Sequence, residues 1–240
     1  MCTVIVSLEP SGRVPLLLIG IRDELTARPW QPPARHWPGS PLIGGRDEQA
    51  GGTWLAIHPG VPRVACVLNG RGPLASPSQR RSRGELPLIA ADGDRVPEDP
   101  AALAAYDPFH LVTATIDAVS LLSWDGSQAT RRDLPPGTHV ITNAGLDPDD
   151  QKAVYFAPRF AARRPPAEPA MGIRQAWEPW LALIDAEDLP ATDPRAIRVS
   201  RQLPDGRLWG TTSISLVALS STGLRYDFQP VPGSPVPVTI

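Results

Sequence analysis

Two short apolar runs rich in β-branched residues open the chain, and the link between them determines how they pair. Residues 2–8 and 14–20 have the length and composition of strands, and the polar segment Glu9-Pro10-Ser11-Gly12-Arg13 joins them. Proline and glycine in so short a link indicate a β-hairpin. Because hairpin strands run antiparallel, the end of the second run returns to the neighbourhood of residue 2. The sequence therefore predicts antiparallel sheet from its first residues.

Further hairpin signals follow, with few helices between them. Strand patterns cover residues 51–58, 64–69, 109–115, 116–124 and 139–143, and a closing hairpin covers 208–219 and 224–228. Helical patterns cover residues 84–91, 98–106, 151–162 and 173–184, and the proline-rich stretch up to about residue 50 is expected to be irregular. This order lacks the regular βαβ alternation of a parallel sheet and predicts an α+β fold with helices packed outside antiparallel sheets. We expect one domain over residues 1–240, with 230–240 as a surface tail.

Composition narrows the class of protein. The chain has 240 residues, of which 42% are hydrophobic and 20% charged, which is enough to bury a sizeable core. Its formal net charge of −2 gives no electrostatic basis for binding nucleic acid. No apolar run approaches the roughly 20 residues that span a bilayer, and no basic segment precedes an apolar one as in a signal peptide. We expect a cytoplasmic protein that acts on or binds a small molecule.

The sequence carries no signature of a cofactor or metal site. It has no glycine-rich phosphate loop, no paired CxxC and no HExxH, and its four histidines share no metal-ligand spacing. We therefore expect no cofactor and no metal. His36 is the one candidate for an axial haem ligand.

Polar residues stand where predicted strands end, which is where sheet proteins build their sites. Arg22 and Asp23 close the second strand, Asn69 closes the strand 64–69, and Asn143 closes the strand 139–143. An asparagine amide can stabilise an oxyanion, and Asp23 can hold an amine near residue 2. Each residue also has a structural interpretation, since asparagine forms turns and Arg22-Asp23 can be a local ion pair.

Cys2 admits two interpretations as well. It is either a small apolar residue at the start of a strand, or, once Met1 is removed, a thiol and a free α-amine on one residue. Cys2 and Cys66 lie far apart in sequence and form no disulfide framework.

Seven short blocks, in this order, resemble the NRDE family, also known as the transport and Golgi organisation protein two family. The seven blocks are MCTVIVS, LLLIGIRDELTARPW, GGTWLAI, VACVLN, RSRGELP, ITNAGLD and WGTTSISLVAL. The resemblance runs from residue 2 to about residue 228. The motif that names the family, Asn-Arg-Asp-Glu, is Ile21-Arg22-Asp23-Glu24 here.

The resemblance implies a fold and a site. The fold is a four-layer αββα sandwich like that of N-terminal nucleophile hydrolases, and a more distant likeness is to acylases whose N-terminal cysteine attacks an amide carbonyl. By matching blocks, Cys2 is the nucleophile, Asp23 lies beside the amine, Asn69 is an oxyanion donor and Asn143 is a positioning residue. The arginine that the acylases carry before this aspartate falls near Gly20 here, and Arg22 is the residue that can replace it.

Two functions from different classes remain open, and a third alternative is a structural domain with no ligand. The first is a cysteine amidohydrolase or acyl transferase acting on a small amide or thioester. The second is a non-catalytic protein on the same fold that binds or traffics haem or a lipid, which the family's link to haem and lipid handling also implies. The enzyme requires a reactive Cys2, whereas the binding protein requires only the pocket. The sequence gives no indication of oligomeric state.

Overall fold

The opening hairpin forms as predicted. In the computed structural model, which describes residues 3–185, 189–190 and 192–240, β1 (Thr3–Leu8) pairs with β2 (Leu16–Leu25) in antiparallel register from Thr3–Ile21 to Leu8–Leu16. All six residues of β1 are buried, as expected for a strand in a sheet that is covered on both faces.

Within the described residues the chain forms fourteen strands and four α-helices. The remaining strands are β3 (Trp30–Ala34), β4 (Ile43–Asp47), β5 (Leu55–His58), β6 (Arg63–Asn69), β7 (Phe109–Thr115), β8 (Val119–Trp124), β9 (Ala129–Leu134), β10 (Gly137–Thr142), β11 (Ser200–Gln202), β12 (Leu208–Ser220), β13 (Gly223–Pro230) and β14 (Val236–Pro237). The helices are α1 (Leu86–Asp92), which follows a 3₁₀ turn over Arg83–Glu85, α2 (Pro100–Leu103), α3 (Gln151–Ala162) and α4 (Ile173–Asp185).

The strands form two antiparallel sheets of seven strands each. The first sheet has the order β10-β1-β2-β12-β13-β14, with β11 added beside β12. The second sheet is a meander in which β3 to β9 follow one another as neighbours. The first sheet thus joins both ends of the described chain, since β12 from the closing hairpin pairs with β2 from the opening one.

Three hydrophobic cores separate four layers. The core between the sheets takes alternate residues of the opening hairpin, including Val4, Val6, Leu16 and Leu18. The intervening residues of the same strands, including Ile5, Leu17 and Ile19, pack against α3 and α4. A third core lies between the second sheet and α1 and α2. The predicted α+β class and four-layer αββα sandwich are therefore confirmed.

The expected irregular stretch before residue 50 contains two strands, and this prediction was wrong. Pro32 and Pro33 lie in β3, an edge strand, where a missing N–H costs no ladder bond, and the register shifts between Gln31 and Ala34. In β4, a side chain at Gly45 would place its Cβ 2.2 Å from the Trp54 ring, so glycine there admits the indole. The strand β9 was also not predicted.

The C-terminal segment adds a short strand to the first sheet. Val236 and Pro237, in the segment expected to be a surface tail, pair with Phe228 and Asp227 of β13. The helix over Gln151–Ala162 has the predicted bounds, and its Asp150 cap accepts the Ala153 N–H at 3.0 Å. None of the helices among the described residues is long and apolar enough to cross a membrane.

Candidate active site

Three strands of the first sheet, β10, β1 and β2, lie side by side at Thr3. Thr3 pairs with Ile21 of β2 on one side and with Thr142 of β10 on the other. Arg22 and Asp23 follow Ile21, and Asn143 follows Thr142, so the pairing carries them to the same end of the sheet. Cys2, the predicted nucleophile, lies outside the described residues.

A β-bulge lies in β12 next to this point. Asp23 pairs with Thr211, whereas the preceding residue of β2, Arg22, pairs with Ser213, so Thr212 is the extra residue. Bulges of this kind redirect side chains and are frequent beside active sites. Here the bulge gives Thr211 and Thr212 separate partners, Asp23 and Arg22 respectively.

Arg22 and Asp23 are neighbours on one strand and therefore face opposite sides of the sheet. The Arg22 guanidinium faces the second sheet, where its Nη2 donates to Asp47 Oδ2 at 3.2 Å and its Cζ lies 4.6 Å from the centre of the Trp54 ring. Burial lowers the Arg22 pKa, with nearby carboxylates acting in the opposite direction. The side chain is only 4% exposed, so these partners compensate a charge removed from water.

The Asp47 carboxylate accepts hydrogen bonds from arginine side chains and from backbone N–H groups. Arg28 Nε and Nη2 donate to its two oxygens at 2.6 and 3.0 Å, and the N–H groups of Gln49 and Ala50 donate to Oδ1 at 3.1 and 3.0 Å. Burial alone would raise the pKa of Asp47, but the hydrogen bonds from Arg28 and Ala50 and the charges of both arginines hold it below its usual value. Asp47 is thus an anion that fixes Arg22.

Asp23 lies on the helix side of the sheet, buried to 4% exposure. Thr211 Oγ1 donates to its Oδ1 at 2.7 Å, and the same hydroxyl accepts the Val199 N–H at 3.0 Å. Because the Val199 N–H occupies the hydroxyl as an acceptor, the threonine proton points to the carboxylate. Thr211 therefore orients Asp23 as a hydrogen-bond acceptor.

Two cavities flank this end of the sheet. The first, which we call the arginine cavity, has a volume of about 540 Å³ and is lined by residues that include Arg22, Arg28, Asp47, Trp54, Asn69 and Arg83. The second, which we call the Asp23 cavity, has a volume of about 360 Å³ and is lined by residues that include Asp23, Thr142, Asn143, Asp150 and Lys152. The two faces of β2 thus contribute to different cavities.

His110 joins the turn at Asn143 to the second sheet. Its Nδ1 lies 2.8 Å from Ser123 Oγ, and its ring also bonds to the backbone of Asn143. A Cβ added at Gly145, where φ is +81°, would lie 2.8 Å from the ring, so glycine is required for this contact. Burial lowers the pKa of His110, while the backbone bond acts to raise it. The imidazole is therefore a neutral bridge between the two sheets.

The model of the family described as Transport and Golgi organisation 2 matches residues 1–205. The chain belongs to this family. No curated protein sequence matches the chain significantly. Among solved structures, a Caenorhabditis elegans ortholog of N-acylethanolamine-hydrolyzing acid amidase superposes with a TM-score of 0.49 at 15% identity, covering 90% of this chain and 92% of that chain.

The structure divides the predicted site residues of this Transport and Golgi organisation 2 chain into two pairs. Arg22 and Asn69 line the arginine cavity, and Asp23 and Asn143 line the Asp23 cavity. The expected positions at strand ends are confirmed for Asn69, which ends β6, and for Asn143, which follows β10. Arg22 and Asp23 were expected to close the second strand, but they lie inside β2, which continues to Leu25 because β12 pairs with it there. Their catalytic roles stay predictions.

Sequence reasoning missed the residues whose hydrogen bonds support the site residues of this Transport and Golgi organisation 2 chain and fix their orientation. Asp47 and Arg28 fell in the stretch expected to be irregular, and Thr211 and Thr212 were read only as part of a strand. Lys152, the single lysine, places its Nζ 3.3 Å from Thr3 Oγ1. Its uniqueness in an arginine-rich chain was the one available signal.

Among the described residues, no group of three or more His, Cys, Asp or Glu side chains could hold a metal ion. His36, the candidate haem ligand, is half-buried, and its Nε2 lies 2.8 Å from the carbonyl oxygen of Pro32. His36 does not line either cavity.

Proposed function

We propose that the chain is a cysteine amidohydrolase or acyl transferase that acts on a small amide or thioester through an N-terminal nucleophile. Removal of Met1 would leave Cys2 with both a thiol and a free α-amine. The observation that most supports this proposal is that Asp23 and Asn143 line one cavity beside Thr3, the residue that follows Cys2.

The chemistry needs one base and one oxyanion donor. The α-amine has an unperturbed pKa of about 7.7–8.0 and a thiol about 8.5, so the amine can take the thiol proton near neutral pH. The thiolate then forms a bond to the carbonyl carbon, and the carbonyl π electrons move to oxygen. Collapse of this intermediate expels the amine or thiol, which takes the proton from the α-ammonium. Water or an acceptor nucleophile then cleaves the thioester by the same steps.

Each predicted residue has a role in this scheme. Asp23 holds the α-amine, and Asn143 positions the reacting group on the same side. Asn69 donates its amide to the oxyanion, and its side chain makes no hydrogen bond within the described part of the chain, which leaves its N–H groups available. Arg22 acts as a positioning residue, because its guanidinium is occupied by Asp47 and Thr212.

The first test is a peptide map after brief iodoacetamide treatment of the folded protein. We expect the N-terminal peptide to begin at Cys2 and to be alkylated well before Cys66. Cys66 is a matched internal control, because its burial raises the pKa of its thiol to about 12. Retained Met1, or a Cys2 that reacts no faster than Cys66, would exclude the mechanism.

The second test separates catalysis from binding. Purified protein is screened with small amides and thioesters, and the active substrate is then given to Cys2→Ala, Asp23→Asn and Asn69→Ala variants. We expect no turnover from Cys2→Ala, and losses of about 100-fold or more in kcat when the oxyanion donor is removed. Unchanged haem or lipid binding by Cys2→Ala, with no hydrolysis by the wild type, would favour a binding protein instead.

A further inference from the structure

The arginine cavity holds more cations than its carboxylates neutralise. Five arginines line it, and four of them have a carboxylate within ion-pair distance. Those four are Arg22 and Arg28, which share Asp47, Arg80, which binds Asp107, and Arg81, which binds Glu85. Arg83 is the fifth, and it has no such carboxylate among the described residues.

The guanidinium of Arg83 has an open edge. Its Nη1 donates to the carbonyl oxygen of Pro108 at 2.8 Å, and its Nε and Nη2 make no hydrogen bond within the described part of the chain. Arg28, in the same cavity, shows what this edge binds, because its Nε and Nη2 donate to the two oxygens of Asp47. An arginine fork of this kind matches a carboxylate or a phosphate with two parallel bonds.

The backbone around Arg83 is fixed by close contacts. Ser82 Oγ accepts the Gly84 N–H at 3.1 Å, and the carbonyl oxygen of Gly84 accepts the Thr53 N–H at 2.8 Å. A Cβ added at Gly52 would lie 2.5 Å from the Gly84 carbonyl carbon, so this close approach of the two segments requires glycine at position 52. The Arg83 guanidinium is thus anchored at its backbone and at Nη1, and burial lowers its pKa. The charges of Asp107 and Glu24 act in the opposite direction without pairing with the guanidinium. A partly buried cation without a directly paired anion is costly, unless a ligand supplies the anion.

We infer that Arg83 binds an anionic group, a carboxylate or a phosphate, on the small molecule that enters the arginine cavity. That this small molecule is the substrate rests on the proposed function. Glu24 also lines the cavity, and its Oε1 accepts the Leu25 N–H at 2.8 Å. The negative charge of Glu24 repels an anion. We therefore expect the acidic group of the ligand to bind at Arg83 and a hydrogen-bond donor of the ligand to face Glu24.

The test is calorimetric titration of the Cys2→Ala protein with inorganic phosphate and, separately, with acetate, at constant ionic strength. We expect saturable binding of at least one anion, and an affinity at least tenfold lower in Arg83→Gln. Arg83→Lys keeps the charge but loses the fork, so we expect an intermediate, severalfold loss. The matched control is Arg207→Gln, because Arg207 is exposed and pairs with Asp205 outside the cavity.

The outcomes separate the sources of the anion. Tighter binding of phosphate would identify a phosphate ester as the ligand, and tighter binding of acetate would identify a carboxylic acid. No saturable binding of either anion, or equal affinities in the Cys2→Ala protein with and without Arg83→Lys, would overturn the inference, and the lysine variant decides if Arg83→Gln fails to fold. Because the Cys2→Ala protein is used, failure here leaves the nucleophile untouched, and an inert Cys2 leaves the anion site standing.

Discussion

Arg22 and Thr212 hold each other across the bulge of β12. Arg22 Nη1 donates to Thr212 Oγ1 at 3.0 Å, and the same hydroxyl donates to the carbonyl oxygen of Arg22 at 3.1 Å. One side chain thus satisfies both a buried guanidinium and a backbone group at the position where the ladder is interrupted. The extra residue in β12 is therefore part of the support for Arg22.

Thr212→Val should destabilise the protein by about 1–3 kcal/mol, because it leaves a buried Arg22 donor without an acceptor. Valine keeps the β-branched shape, so packing changes little. Urea unfolding followed by circular dichroism measures the free energy of unfolding. Thr212→Ser keeps the hydroxyl and should retain most of the stability. A valine variant as stable as the wild type would contradict the role given to the hydroxyl.

Asp47 should make stability depend on pH in acid. Its pKa is lower in the folded protein than in the unfolded chain, so the unfolded chain binds the proton first. Its contribution is present above pH of about 4 and is lost as the pH falls through the lower, folded value. Thermal or urea unfolding between pH 7 and pH 2 should show this loss, with a smaller slope in Asp47→Asn.

At pH 7, Asp47→Asn should cost about 3 kcal/mol, because it leaves the buried Arg22 charge without its carboxylate. The matched control is Asp205→Asn, whose partner Arg207 is exposed to solvent. Exposed ion pairs contribute little, so this control should unfold like the wild type. Similar effects of the two substitutions would show that Arg22 does not depend on Asp47.

His110 should titrate below 6.5 in the folded protein, since burial lowers its pKa. The unfolded chain then binds a proton first as the pH falls, so this residue reduces stability progressively below about pH 6.5. NMR titration of the imidazole gives the pKa directly. Ser123→Ala removes only the Nδ1 partner and should keep the depressed value, whereas a midpoint at or above 6.5 would contradict a buried neutral ring.

Gly45→Ala should destabilise the protein by about 1–3 kcal/mol, the usual cost of overpacking. Its Cβ would lie 2.2 Å from the Trp54 ring, on which Arg22 packs. Gly172→Ala is the control, because a Cβ there meets nothing within 4 Å and its φ is not positive. Tryptophan fluorescence should report the displaced indole, and an unchanged spectrum with unchanged stability would show that the site yields easily.

Local patterns predicted the elements that local chemistry determines. The hairpin of β1 and β2 follows from two apolar runs and a Pro-Gly link, and α3 follows from the Asp150 cap and its helical period. The strands β3 and β4 could not be predicted in this way, because Pro32-Pro33 and Gly44-Gly45 are read locally as breakers. Their reasons are tertiary: an edge position for the prolines and the Trp54 ring against Gly45.

The candidate site also has parts that local sequence predicts and parts that depend on tertiary contacts. Hairpin geometry placed Asp23 near the start of β1, whereas the position of Asn143 beside Thr3 depends on the pairing of β10 with β1, which no local pattern predicted. The bulge at Thr212 could not be predicted, since a skipped partner depends on how two distant strands align. The same holds for Asp47, whose contact with Arg22 joins one sheet to the other.

The alternation of Arg22 and Asp23 along β2 limits how this gene can change in length. Deletion of one residue from β2 before Arg22 would send the carboxylate into the arginine cavity and the guanidinium into the Asp23 cavity, which exchanges the charges that these two residues contribute. Length variants can be accommodated in the Glu9–Arg13 turn, where no ladder pairing is shifted. Within the strand, only changes by two residues would preserve the polarity of the two compartments.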